Sequence, residues 1–184
     1  MISINMRKRE NNIQLVRLTE EHTIAFKEEM QEAFQYGFQA YCKDNDDSSN
    51  QWQVLPDKDF YQSLETKGAE AYEAIDKNGQ RVGGAIIVID NKAHKGELAF
   101  LYVKVGVQSK GIGQFIWKTL ESIHSEIEIW ETCTPYFDRR NIHFYINRCG
   151  FHAIEFFNEH HPDPNMPEQF DQEDGLFRFE KRMI

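Results

Sequence analysis

The stretch from Leu98 to Ile123 leaves this chain few folding options. Leu98, Phe100 and Tyr102 alternate as in a strand, a loop carrying Gly106, Gly111 and Gly113 follows, and Ile112, Phe115, Ile116, Leu120 and Ile123 then recur along one helical face. A strand that turns sharply through glycines into a helix leaves the first N–H groups of that helix without intrahelical partners. The helix dipole puts positive charge at the same point, so the turn suits an anion, a phosphate above all.

Spacing decides which phosphate loop this is. A P-loop needs Gly, four residues, then Gly-Lys-Ser/Thr; Gly106 and Gly111 have the interval, but Ile112-Gly113 follows. A dinucleotide fingerprint needs a small residue where Ile116 stands, and isoleucine is too bulky for that close helix-to-strand packing. The pattern that fits is Gln-x-x-Gly-x-Gly, here Gln108-Ser109-Lys110-Gly111-Ile112-Gly113, soon after the strand valine Val103. It resembles the pyrophosphate loop of the GNAT superfamily of N-acetyltransferases. A second segment, Asn141-Ile142-His143-Phe144-Tyr145-Ile146-Asn147-Arg148-Cys149-Gly150-Phe151, resembles the later helix of that family, with its tyrosine ahead of a terminal Gly-Phe.

Composition narrows the classes. At 184 residues and 40% hydrophobic, the chain suits a single domain, 1–184, with one well-buried core. With 21 basic against 30 acidic residues and a net charge of −9, nucleic-acid binding is disfavoured and a cationic substrate suits better. Cys42, Cys133 and Cys149 form no framework spacing, Met1 to Arg9 holds no apolar run of signal-peptide length, and no segment reaches the length of a membrane span. A reduced, cytoplasmic setting is expected.

In chain order, Asn12 to Leu18 reads as a strand, and Thr19-Glu20-Glu21 as the cap and acidic first turn of a helix running from His22 to about Phe38. Phe26, Met30, Ala33 and Phe34 give that helix its apolar stripe. Gln39 to Gln53 is a polar loop whose Asp44 and Asp46 lack the offsets of a calcium site. Pro56 opens a short helix through Phe60 and Leu64 that stops by Gly68. Ala69 to Ile75 and Arg81 to Asp90 form a hairpin about Asn78-Gly79, and a turn over Lys92 to Gly96 leads into the Leu98 strand. Beyond the amphipathic helix, Glu126 to Thr132 is expected as a strand parallel to the Leu98 strand, the two joined by the helical crossover. A helix from about Asp138 to Cys149 stops at Gly150, and Phe151 to Asn158 and Leu176 to Met183 close the chain as strands, the last offering an exposed edge for a homodimer. The expected fold is α/β (α+β), a mixed, mostly antiparallel sheet flanked by helices, in the GNAT order β-α-α-β-β-β-α-β-α-β-β.

The resemblance implies acetyl transfer from acetyl-CoA to a primary amine of a small molecule or a protein. It assigns the pyrophosphate to Gln108, Ser109, Lys110, Gly111, Ile112 and Gly113, and the pantetheine arm to backbone groups of Leu101, Tyr102 and Val103. Asn141 stands where relatives often carry a small residue, and is carried as a cofactor contact. Tyr145 matches the general acid, a sensible choice because a phenol with pKa about 10 stays protonated near neutrality. Glu97 and Glu131, at the two strand ends, are candidates for the base that takes the proton of the amine. Tyr41, Trp52 and Tyr61 are candidates for substrate contact. No metal is expected: His152, His160, His161 and Asp163 lack the fixed spacing of a metal site. A rival of another class stays open, a coenzyme-A-binding sensor or partner subunit on the same fold.

Overall fold

The computed structural model describes residues 12–42, 53–108, 111–164 and 175–183. Its elements are β1 (Gln14–Arg17), a 3-10 turn (Glu20–His22), α1 (Thr23–Cys42), α2 (Asp57–Glu65), β2 (Ala69–Ile75), β3 (Arg81–Asp90), β4 (Lys95–Val103), α3 (Ile112–Ile123), β5 (Ile129–Pro135), α4 (Arg139–Phe144) continued by a π-helical turn (Tyr145–Cys149), β6 (His152–Phe157) and β7 (Leu176–Arg182). They form one seven-stranded sheet in the order β1-β2-β3-β4-β5-β7-β6. Every pairing is antiparallel except β4 with β5, where the α3 crossover imposes a parallel pair.

Each face of the sheet has its own core. On one, α3 sets Ile116, Trp117 and Leu120 against Leu98, Trp130, Phe151 and Phe179. On the other, Phe26 and Met30 of α1, four residues apart and so on one helical face, pack with Phe60 of α2, Ile86 and Tyr102. Ion pairs tie α1 to the sheet: Glu29 takes Arg81 at 2.8 Å and Lys104 at 3.0 Å, and Arg81 also reaches Glu73 at 2.9 Å. The β2–β3 hairpin turns at Gly79, with φ of +77°, while the Asp76 carboxylate accepts from the Asn78 and Gln80 N–H groups.

Four expectations need correction. The chain after Thr19 first makes the 3-10 turn, and the Thr19 side chain caps nothing. Helix α1 continues to Cys42, beyond the anticipated stop near Phe38. Strand β5 begins three residues later than the Ile127/Ile129 alternation suggests, because Ile127 sits in the turn after α3, bonded to His124 O, and pairing starts where Ile129 meets Lys95. Strand β7 has no open edge: it lies between β5 and β6, and Phe179 is fully buried, so the basis for self-association through that strand is gone.

Candidate active site

The site is built where β4 parts from β5. The two strands pair only over Lys95–Ile129, Gly96–Trp130 and Glu97–Glu131. Gly96 makes that pairing possible, since a Cβ there would lie 2.5 Å from the Trp130 ring. Just beyond, β4 carries a bulge against β3: Leu98 aligns with Ile87 and Phe100 with Ile86, leaving Ala99 as the extra residue. The parity of the strand switches there, with Leu98 and Leu101 in the α3 core while Ala99, Phe100 and Tyr102 pack toward α1. A bulge bends its strand and ends pairing locally. From Leu98 to Val103, β4 stays paired with β3 but has no strand partner on its β5 side, so a wedge opens whose vertex lies at Glu97 and Leu98. Thr132 holds the vertex, its hydroxyl donating to Leu98 O at 2.8 Å.

At the wide end of the wedge, β4 runs into the glycine loop. Gly111 is the N-cap of α3, with φ of +76° and open space where a Cβ would stand. No side chain caps the helix there, so the first-turn N–H groups face that space. Gly113 serves packing instead: a Cβ would come within 3.2 Å of Phe144 and 3.5 Å of Leu101, which brings α3 against α4 and β4. Gln108 is half-buried beside this turn, while Ser109 and Lys110 lie outside the described residues. Leu101 and Tyr102 turn their side chains into the two cores, and Tyr102 donates to Glu29 at 3.3 Å, so only their backbone groups face the wedge.

Tyr145 comes to the same wedge from α4. It is 5% exposed, packed among Phe144, Phe151 and Phe179, and its phenol lies beside the Thr132 and Thr134 side chains of β5. Thr132, which donates to Leu98 O, thus links the surroundings of the phenol to the vertex. Burial, then the neighbouring Cys149 and Asp138, holds the phenol above its ordinary range, so it is protonated at neutral pH. Asn141 is tied to Asp138: its backbone N–H donates to Oδ1 at 3.0 Å and one amide N–H to Oδ2 at 2.7 Å, making Asp138 the cap of α4.

The two glutamates are adjacent in register but differ in surroundings. Glu131 is held by Arg178 at 2.9 Å, with Lys95 at 3.9 Å. Glu97 keeps a solvent-exposed face yet is hemmed in by protein; that burial, then the like charge of Glu131, raises its carboxyl above the usual range against the pull of Arg178. A raised carboxyl is suited to take up a proton, while Glu131 is held in its ion pair with Arg178. On the same side, Cys133 is pushed up to about 12 by burial and then by Glu97 and Asp163, and Cys149 also to about 12 by burial, so neither thiol supplies a thiolate.

Other candidates are dispersed. Tyr61 lies on α2, 39% exposed, with Lys27 over its ring. That helix packs on β2, away from the wedge. Trp52, the side chain of Tyr41 and the loop with Asp44 and Asp46 lie outside the described residues. The wedge is instead overlooked by α1, whose Phe34 meets Phe100 of β4 and whose Phe38 meets Phe137 just past β5. His161 is bonded to Glu155 and stacked on Phe157, and His160 sits beside Glu159; among the described residues no group of three or more His, Cys, Asp or Glu is arranged to hold a metal. No described helix is long and apolar enough to cross a membrane. Thr132 and Thr134 escaped the sequence reading, although their alternation in the strand after the crossover was visible; the π-helical turn left no sequence signal at all.

Known proteins share this architecture. The model of the acetyltransferase (GNAT) family matches residues 25–151. The uncharacterized protein YrkN of Bacillus subtilis (strain 168) is 36% identical over 165 residues, spanning 86% of each chain. In structure, the chain is similar to the spermidine N-acetyltransferase of Vibrio cholerae solved with CoA and spermine (TM-score 0.66, 9% identity, 93% of this chain and 95% of that one). It is also similar to the ribosomal-protein-S18-alanine N-acetyltransferase of Escherichia coli (TM-score 0.65, 11% identity, 92% and 93%). The wedge, the glycine turn and the family match agree, and this chain belongs to the GNAT family of acetyltransferases.

Proposed function

We propose that this chain moves the acetyl group of acetyl-CoA to a primary amine by direct attack. What supports the reading is the wedge: the unpaired edge of β4 and the uncapped start of α3 border one opening, Tyr145 approaches it from the α3 side and Glu97 stands at its vertex. The pyrophosphate is received by the turn from Gln108 to Gly113, and the pantetheine arm runs along the free backbone edge of Leu101 to Val103. The thioester carbonyl reaches the vertex, where a β4 backbone N–H faces the developing oxyanion; preorganised donors of this kind contribute about 3 to 4 kcal/mol in acyl transfer. Asn141, with one amide N–H on Asp138, keeps its second N–H and its carbonyl oxygen for the cofactor.

Glu97 takes the proton of the ammonium, directly or through water, and Glu131 stays with Arg178. The amine attacks, the tetrahedral intermediate collapses, and Tyr145 offers its O–H to the sulfur as charge builds there. The acceptor enters from the α1 side, between the Phe34, Phe38, Phe100 and Phe137 rings and the acidic pair at the vertex, which favours a cationic amine. A structural neighbour solved with spermine and one named as a ribosomal-protein alanine N-acetyltransferase are in keeping with a small-molecule or a protein amine. The test is thiol release from acetyl-CoA against a panel of amines and peptides: amine-dependent release supports the reading, whereas tight acetyl-CoA binding with no release for any amine favours the sensor.

A further inference from the structure

The turn that carries Tyr145 ends on carbonyls that helix geometry leaves without partners. Each is taken up. Tyr145 O accepts from the N–H groups of Gly150 and, at 3.0 Å, Phe151; Arg148 O accepts from Gln114 Nε2 at 3.1 Å; Cys149 O accepts from Lys181 Nζ at 2.7 Å. The two side chains come from different elements, Gln114 from the first turn of α3 and Lys181 from β7. Lys181 stands out in its strand. It follows Phe177 and Phe179 on the face turned to α3 and α4, where the alternation calls for an apolar residue. Its ammonium is paired with Glu121 of α3 and lies 5.7 Å over the Trp117 ring. A methionine would pack on Trp117 without the cost of desolvating a charge. What only a cationic donor supplies is the pairing with Glu121 together with the bond to Cys149 O.

A π-helical turn holds one residue more than the α-helix it interrupts, so it persists only where its surroundings favour it over the regular helix. From this arrangement we infer that Lys181, oriented by Glu121, and Gln114 are positioning residues that fix the π-helical turn and so set the Tyr145 phenol against Thr132 and Thr134. The inference rests on the reading of Tyr145 as the acid. It makes the β7 lysine part of the catalytic geometry although it touches neither substrate nor cofactor.

The test is a double-mutant cycle in the full chain with the best amine of the panel. Lys181→Met should lower kcat by about ten- to a hundred-fold, the scale for a misplaced catalytic group, and Lys181→Arg should recover most of it. The Kd for acetyl-CoA should stay within about two-fold, because the phenol acts in the transition state and not in the bound thioester. In a Tyr145→Phe background Lys181→Met should cost nothing further, since no hydroxyl is left to position. An equal fractional loss in both backgrounds would reduce Lys181 to general stability and overturn the inference, as would unchanged turnover for Lys181→Met beside a crippled Tyr145→Phe. Full turnover by Tyr145→Phe alone would instead strike the acid assignment on which this rests. Circular dichroism checks folding; if Lys181→Met does not fold, Gln114→Met, which removes the other donor, is carried through the same cycle with the same two outcomes.

Discussion

Glu97 and Glu131 show what a sequence can and cannot resolve at the level of one residue. Each is the third residue of its strand and the two look alike in the chain; what separates them is Arg178, 47 residues from Glu131 and brought beside it by the β5–β7 pairing. With Glu97 as base, Glu97→Gln should lower turnover by about a hundred-fold or more, the range for general bases. In the wild type kcat/KM should rise with pH as Glu97 deprotonates, with a midpoint above that of an ordinary carboxylate, because burial and Glu131 raise it. That limb should vanish in Glu97→Gln; a variant with the same pH profile would mean that another group takes the proton. Tyr145 was legible for the opposite reason, since the glycine that ends its helix is local. Its partners Thr132 and Thr134 were not, because a buried threonine pair declares itself only once the strand is placed against α4.

Elements were legible where one local rule governs them. The Asn78-Gly79 hairpin, the α3 stripe and the Gly150 stop, with φ of +80°, each follow from a few adjacent residues. The start of β5 and the place of β7 do not, because strand partners are set by the whole sheet. Gly96 belongs to this scale: its Cβ would meet the Trp130 ring at 2.5 Å in the short parallel pairing that fixes the vertex. Gly96→Ala should therefore destabilise the protein by about 1–3 kcal/mol, the usual cost of overpacking, read as a lower urea midpoint at unchanged slope. A midpoint equal to wild type would show that β4 and β5 separate there without penalty. A second junction joins the end of α3 to β2, where His124 meets Glu70 at 3.1 Å and Glu126 at 3.3 Å, and Arg17 meets Glu70 at 2.7 Å. Burial lowers the His124 pKa, but the bonds to Glu70 and Glu126 outweigh it and the net shift is upward. Burial opposes the charge of Glu70 too, yet His124, Tyr72 and Arg17 bring its carboxyl down to about 2. A raised histidine stabilises the fold fully below its unfolded value and loses this as pH rises; a lowered carboxylate stabilises above its unfolded value and loses this as pH falls. The junction therefore contributes most between about pH 4.5 and 6.5. By calorimetry, the Tm advantage of wild type over His124→Gln should be largest in that window and shrink toward alkaline pH; an advantage that grows with pH would contradict the pairing.

At the scale of the molecule, the described residues form one sheet with a core on each face, and the glycine turn, Tyr145 and Glu97 approach the β4–β5 opening from α3, α4 and β4. The element order could be read from the chain because the motifs between Leu98 and Phe151 fix its middle and the periodicities on either side agree with it. The acceptor could not, since it depends on how α1 overlooks the wedge and on residues scattered from Phe34 to Arg178. The most direct test of the account is Tyr145→Phe, which removes one hydroxyl and keeps the ring packed on Phe151 and Phe179. Turnover with the best amine and the calorimetric Kd for acetyl-CoA should be measured on the same preparation. The account predicts a fall in kcat of about a hundred-fold or more with little change in Kd, the signature of a group that acts only in the transition state. Full turnover by Tyr145→Phe would contradict it.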